Sequence, residues 1–308
     1  MYDLIIIGAG PAGLSAGLYT GRFRLNALIL EKTAVGGQII LSSVIENYPG
    51  FPGGISTQEL IDKFKQQVDD LGLGIEFEEV QEILASYKFE NPVYNIKTHN
   101  KSYETKSIIM ATGAQSKRLG IEGEEKFAGR GVSYCGTCDG PLFKDKEIIV
   151  VGGGDRAFEE AIFLSRYAKK ITVVHRREGF RASKILQDKL EASPKINFML
   201  NCILEKISGE DKVKEVLIKN VKTNQESVIH CQGVFIFIGI VPNTAFLKNL
   251  LKLDEAGFIV TEENLATSCQ GIFASGDCRK KTLYQVVTAC SDGALAADSV
   301  NKYLISQK

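Results

Sequence analysis

The 308-residue sequence has no tryptophan, and only three histidines and three methionines. The histidines, at 99, 175 and 230, are not paired at ligand spacing, which argues against a histidine-built metal centre. There is no surplus of either charge: Lys plus Arg and Asp plus Glu both number 37. A chain without a basic excess is a poor candidate for a general polyanion binder. No apolar run approaches the ~20 residues that span a bilayer. No signal peptide is visible, since Met1-Tyr2-Asp3 leads straight into the short run LIII. The seven cysteines are odd in number and thinly spread, unlike a secreted disulfide framework. Low-complexity segments and short tandem repeats are also lacking. The expectation is a soluble cytoplasmic protein with neither nucleic-acid nor membrane partners, long enough for two domains of roughly 150 residues each.

What is present begins with strand, tight turn and helix. Leu4 to Ile7 is a short apolar run, GAGPAG follows, LSAGLYTGR has helical character, and a second apolar run, ALIL, ends at Glu31. In Gly8-Ala-Gly10-Pro-Ala-Gly13, Gly8 permits the turn, Gly10 lets backbone approach a pyrophosphate, and Gly13 lets helix pack closely on strand. The helix N-terminus offers N–H groups to phosphate. Glu31 suits a ribose that carries no 2′-phosphate. The segment 56–72 reads as a helix capped at Ser56 or Thr57, with Leu60, Ile61, Phe64, Val68 and Leu71 at helical spacing. Short alternating strands fill about 75–110.

The same organisation starts again after residue 146. EIIV at 147–150 reads as a buried strand, GGGDRA as a turn, FEEAIFLSRYA as a helix, and ITVV at 171–174 as a strand ending at His175. Gly8 and Glu31 are 23 positions apart, and so are Gly152 and His175. Two modules of equal length imply two nucleotide sites. The second fingerprint is Gly152-Gly-Gly154-Asp-Arg-Ala157. In place of the acid it has His175, Arg176 and Arg177, with Arg181 close behind, and guanidinium groups meet phosphate oxygens in a fork. The first module therefore suggests FAD and the second NADPH. Strand-like runs fill 196–240, and an alanine-rich helix, ALAADSVNKYL, closes the chain.

Between the modules lies YCGTCDG, with Cys135 and Cys138 three positions apart and Asp139 next to them. A structural zinc site needs four ligands, and no second CxxC or paired histidines supply the rest. A permanent disulfide is disfavoured in a reducing compartment. A pair that cycles between dithiol and disulfide fits best, with Asp139 as the nearest group able to exchange a thiol proton.

Taken in order, GAGPAG, GGQ, ENYPGFPGG, ATGA, YCGTCDG, VVGGGDRAFEEA, HRREGFRA, GIVPNT and GIFASGDC make the chain resemble the bacterial-type, low-molecular-weight thioredoxin reductases over essentially its whole length. The resemblance implies an α/β chain of two Rossmann-like dinucleotide-binding domains of the three-layer ββα type, the second inserted into the first. A discontinuous FAD domain would cover 1–114 and 243–308, and an NADPH domain 115–242. Gln38, Asn47, Ala111, Asp277, Gln285 and Val286 would help hold FAD. Electrons would pass from NADPH through FAD to the Cys135–Cys138 disulfide and on to thioredoxin. Cys138 would face the flavin, Cys135 would attack the partner disulfide, and Asp139 would serve as acid and base. A homodimer, and a domain rotation about linkers near 113–118 and 241–246, are implied as well. Another donor, such as ferredoxin, or a glutaredoxin-like acceptor is the alternative. The chain departs from the family pattern at Arg156, where a small or polar residue is commoner, at Gly136, where alanine is frequent, and at Tyr284, where arginine is common. Cys278 and Cys290 are unusual near the flavin segment.

Overall fold

The computed structural model describes residues 1–41, 44–45, 47–88 and 91–307. Glu46, which opens the ENYPGFPGG stretch, lies outside them. The chain divides into two compact units, one made of Met1–Ile40, Tyr48–Gln115 and Val241–Lys308, the other of Leu41–Asn47 and Ser116–Ile240. The two segments where the chain crosses over, Ala114–Ser116 and Ile240–Pro242, pair with each other as a two-stranded ribbon.

The first unit is built on a five-stranded parallel sheet in the order Ile272–Ala274, Ile108–Met110, Leu4–Ile7, Ala27–Glu31, Gly74–Phe77. Its central strands are apolar up to Glu31 at the end of one of them, because both faces are covered. Leu4, Ile6, Ile29 and Ile109 point into a core shared with the helices Pro11–Arg22, Thr57–Asp69 and Val286–Ser306. Ile5, Ile7, Leu28 and Ile108 point the other way, into a core with Ile83, Tyr94, Ile96 and Tyr103 of the antiparallel strands Val80–Lys88, Asn91–Thr98 and Ser102–Thr105. Helix, parallel sheet and antiparallel sheet make three layers. Ser56 caps the helix Thr57–Asp69, its side chain accepting from the Glu59 N–H at 3.2 Å.

The second unit repeats this plan. Its parallel sheet runs Val132–Ser133, Gly233–Ile236, Glu147–Val151, Lys170–His175, Ile196–Leu200. One face packs Ile148, Val150, Ile171 and Val173 against Phe158, Ala161 and Leu164 of the helix Asp155–Leu164. The other packs Ile149, Val151 and Val174 against Leu204, Ile207, Val216 and Ile218 of the antiparallel strands Cys202–Gly209 and Val213–Asn220. The two expected modules are therefore two sheets of one design.

Candidate functional site

In the first unit, the turn after Leu4–Ile7 carries the first fingerprint. Gly8 has φ of 109°, in the region that favours glycine, and a Cβ there would stand 2.3 Å from the Ala111 carbonyl oxygen. A Cβ on Gly13 would lie 1.8 Å from the Gly8 carbonyl oxygen, so close helix-on-strand packing leaves no room for a side chain. Gly10 caps the helix Pro11–Arg22 in extended conformation with no side-chain hydrogen bond, leaving first-turn N–H groups free of a capping side chain. Glu31, at the end of the second strand, is buried. Its carboxylate accepts from the Ala9 N–H at 2.7 Å and the Thr33 N–H at 3.0 Å, which fixes it beside the turn.

Ala111, Asp277, Gln285 and Val286 also belong to this unit. Ala111 is buried and walls the Gly8 turn. Gln285 caps the helix Val286–Ser306 in a reciprocal box: its side chain accepts from the Thr288 N–H, and its own N–H donates to Thr288 Oγ1 at 3.2 Å. Asp277 Oδ1 is buried without a hydrogen-bond partner, although Lys281 Nζ lies 2.9 Å away as an ion pair. Ser275 Oγ is likewise buried without a hydrogen-bond partner, and the buried Thr112 hydroxyl meets the Cys278 thiol. Buried polar atoms beside a glycine turn, one of them orphaned, fit a polar ligand such as a dinucleotide, because buried polar atoms ordinarily find partners. Gln38 is exposed, and so is Asn47, which falls in the Leu41–Asn47 segment of the second unit.

Sequence reasoning missed a charged cluster around Asp292. That carboxylate accepts from Arg279 Nε at 3.0 Å, from Arg279 Nη2 at 3.2 Å and from the Gly276 N–H at 3.1 Å, and Lys281 Nζ is 3.4 Å away. The basic run RKK reads as a solvated loop, and only the tertiary fold buries Lys281 against two carboxylates.

In the second unit, Gly152 opens the turn at φ 155° and lies against Ala157, its Cβ position 2.6 Å from the Ala157 Cβ. Nothing lies within 4 Å of a Cβ built on Gly154, so the fingerprint leaves an open cradle at the start of the helix Asp155–Leu164. Asp155 accepts from the Ser183 N–H at 2.6 Å. His175 takes a different part from Glu31. It is buried, its ring occupies the space a Cβ on Gly153 would need, and Nε2 donates to the Gly179 carbonyl at 3.2 Å. Burial first, then the charges of Arg177, Arg181 and Arg176, hold the His175 pKa below its ordinary value, against the opposing effect of the Gly179 carbonyl. Arg176, Arg177 and Arg181 are exposed.

The same unit holds the cysteines, joined as the disulfide Cys135–Cys138. Cys135 caps the single turn Gly136–Asp139, and the Cys138 N–H donates to Cys135 Sγ at 3.2 Å. Ser133 ties the turn together: its hydroxyl donates to Asp139 Oδ2 at 2.6 Å and accepts from the Cys135 N–H at 3.1 Å. Asp139 is buried. The other five cysteines are free, and burial pushes the thiols of Cys202, Cys231, Cys278 and Cys290 up, Cys231 to about 12. A thiol held protonated is a poor nucleophile, which separates Cys278 and Cys290 from the pair. Among the described residues no group of three or more His, Cys, Asp or Glu gathers as a metal site, and no helix is long and apolar enough to cross a membrane.

Comparison with known proteins agrees with this geometry. The family model described as pyridine nucleotide-disulphide oxidoreductase matches residues 2–293. A thioredoxin reductase of Treponema pallidum is 45% identical over 303 residues, covering 98% of this chain and 97% of the relative. One from Bacillus subtilis is 41% identical over 305 residues, with 99% and 95% covered. Among solved structures, a thioredoxin reductase from Streptococcus pyogenes superposes with a TM-score of 0.92 at 46% identity, covering 99% of both chains.

Proposed function

The chain belongs to the pyridine nucleotide-disulphide oxidoreductase family, and we propose that, as a thioredoxin-disulfide reductase of that family, it uses NADPH as donor and FAD as bound cofactor to reduce a thioredoxin through Cys135 and Cys138. The family implies FAD and NAD(P)H. The choice of NADPH rests on Arg176, Arg177 and Arg181, which are exposed around the second fingerprint where a 2′-phosphate would need them. The first unit is then the FAD-binding domain and the second the NADPH-binding domain. We also assign the protein to the cytoplasm, as a homodimer, on the strength of the resemblance.

In this reading Gly8, Gly10 and the first-turn N–H groups of Pro11–Arg22 receive the FAD pyrophosphate, and Gly13 keeps helix and strand close enough to aim them. Glu31, already oriented by two backbone donors, accepts from ribose hydroxyls with its remaining lone pairs. Asp277, with Thr112 and Ser275 nearby in the fold, offers buried polar atoms to the same cofactor. Gln38 contributes an amide, and Ala111 the wall. Because Gln285 commits its side chain to the helix cap, the Val286 N–H is the donor at that end. In the second unit Gly152, Gly154 and Ala157 shape the NADPH pyrophosphate turn, while His175 holds the turn by packing on Gly153. When bound, FAD supplies the two-electron carrier between nicotinamide and disulfide.

The chain's own sulfurs do the exchange. The Cys138 N–H aimed at Cys135 Sγ stabilises a thiolate there, which makes Cys135 the attacking sulfur. Its thiolate forms a bond to one sulfur of the thioredoxin disulfide and expels the other as thiolate. Cys138 then attacks Cys135, closing the Cys135–Cys138 bond and releasing the second thioredoxin sulfur. Asp139, held by Ser133, moves a proton to the departing thiolate. The observation that carries the reading is a single CxxC disulfide in the same unit as an arginine-flanked nucleotide turn. It is tested by steady-state turnover of the FAD-loaded chain. NADPH oxidation that depends on added thioredoxin is expected, and its absence with flavin bound would overturn the proposal.

A further inference from the structure

One buried carboxylate in the second unit has no part in the function above. Glu160 sits on the helix Asp155–Leu164 at i, i+3, i+4, i+7 spacing with Ala157, Ala161 and Leu164, so it falls on the helix's buried stripe. Its carboxylate reaches the CxxC turn. Oε2 lies only 2.1 Å from where a Gly136 Cβ would stand, and the carboxylate faces the backbone N–H groups of Gly136 and Thr137. Oε2 is buried against that turn. Two departures from the family pattern meet at this group. Gly136 leaves the space Glu160 fills, and Arg156, one turn back on the same helix, supplies a favourable charge. Burial, the dominant influence, holds the Glu160 pKa above its ordinary value.

We propose that Glu160 is a positioning residue that sets the reducing strength of the Cys135–Cys138 pair. Its carboxylate takes the Gly136 and Thr137 N–H groups and places negative charge beside the thiolate that reduction creates. Amides that face a thiolate stabilise it, and stabilising the reduced form makes a pair more oxidising. A carboxylate in their place has the reverse effect, keeping the dithiol a strong electron donor. Among the described residues, the charged groups that act on Glu160 are Arg156 and Glu159 of its own helix. The segments Gly140–Phe143 and Val44–Ile45, which lie beside the turn, carry no charge. The added repulsion is fully felt only where Cys135 is ionised, so it grows as pH rises through that thiol's pKa.

The inference rests on the proposed function only in requiring that the pair cycles, and the test avoids both NADPH and thioredoxin. The FAD-loaded protein is equilibrated anaerobically in buffers of reduced and oxidised dithiothreitol, and the Cys135 and Cys138 thiols are alkylated and counted by mass. Glu160→Gln keeps an acceptor for the two N–H groups and removes the charge. It is expected to shift the equilibrium about tenfold toward dithiol, ~30 mV for two electrons, and to move the pH profile of Cys135 alkylation downward. An unchanged equilibrium with an unchanged profile overturns the role. Gly136→Ala, which displaces the carboxylate without removing it, is expected to shift both in the same direction. It decides alone if Glu160→Gln fails to retain flavin, and an unmoved equilibrium there also overturns the role. A wild-type pair that never takes up electrons even from excess dithiothreitol contradicts the proposed function itself, whereas a cycling pair indifferent to Glu160 contradicts only this inference.

Discussion

The two nucleotide modules share a sheet order, a layer plan and a 23-residue spacing, yet they end their second strands differently. Glu31 turns its carboxylate inward, onto the Ala9 and Thr33 amides, and so presents fixed negative charge beside the turn. His175 fills the equivalent chain position with a ring packed on Gly153, and the charges of Arg176, Arg177 and Arg181 stand exposed after it. The helix–strand contact also differs: Gly13 tolerates no side chain, whereas Ala157 at the matching place carries a methyl. One fold thus presents two different strand ends by changing a handful of side chains at one edge. Only the second module carries the redox pair.

The comparison can be broken in graded steps. Cys138→Ser removes what the second unit alone possesses. It is expected to lower thioredoxin turnover by on the order of a thousandfold, with NADPH oxidation by a small-molecule acceptor retained in the same assay. Gly13→Ala puts a methyl onto the Gly8 carbonyl. A stability loss of about 3 kcal/mol is expected in denaturant unfolding, with flavin retention lost first. Arg176→Ala with Arg177→Ala is expected to raise KM for NADPH by roughly tenfold to a hundredfold, the worth of about one charge-assisted hydrogen bond (~1.5–3 kcal/mol), because both guanidinium groups are exposed and screened by solvent. KM for NADH should barely move, and equal effects on both would mean these arginines do not read the 2′-phosphate. Ala157→Gly, the converse of the Gly13 change, should cost only about 1 kcal/mol, read by the same unfolding measurement.

The smallest effect is one of pH. Because the folded His175 pKa lies below its ordinary value, the unfolded chain binds that proton first as pH falls below ~6.5. Stability supplied by neutral His175 is therefore present above that pH and lost below it, until the folded pKa is reached. Melting temperature measured from pH 8 to pH 5 should fall more steeply in the wild type than in His175→Gln. Equal slopes would remove His175 as the cause.

Much of this was legible because its chemistry is local. Strand, glycine turn, helix and strand-end charge lie within about thirty residues, and the physics of each is set by near neighbours. Ser56 as the cap of its helix was readable for the same reason. The end of that helix was not: it stops at Asp69, and Leu71, at helical spacing, is exposed ahead of the left-handed turn at Gly72. The final helix begins at Val286, well before its alanine-rich stretch, because Gln285 and Thr288 form a cap from residues that seldom announce one. Glu160 and the Arg279–Lys281–Asp292 cluster escaped notice because acids and lysines are read as solvent-facing unless tertiary packing says otherwise. Helical spacing with Ala157, Ala161 and Leu164 was the one signal that marked Glu160 in advance.

The central claim, that electrons drawn from NADPH emerge at one pair of sulfurs, is tested most directly by counting thiols. The FAD-loaded chain is given NADPH anaerobically without thioredoxin, alkylated, and mapped by mass. The account predicts two new thiols per chain, at Cys135 and Cys138, and none gained elsewhere. NADPH consumed while that disulfide stays intact would contradict it.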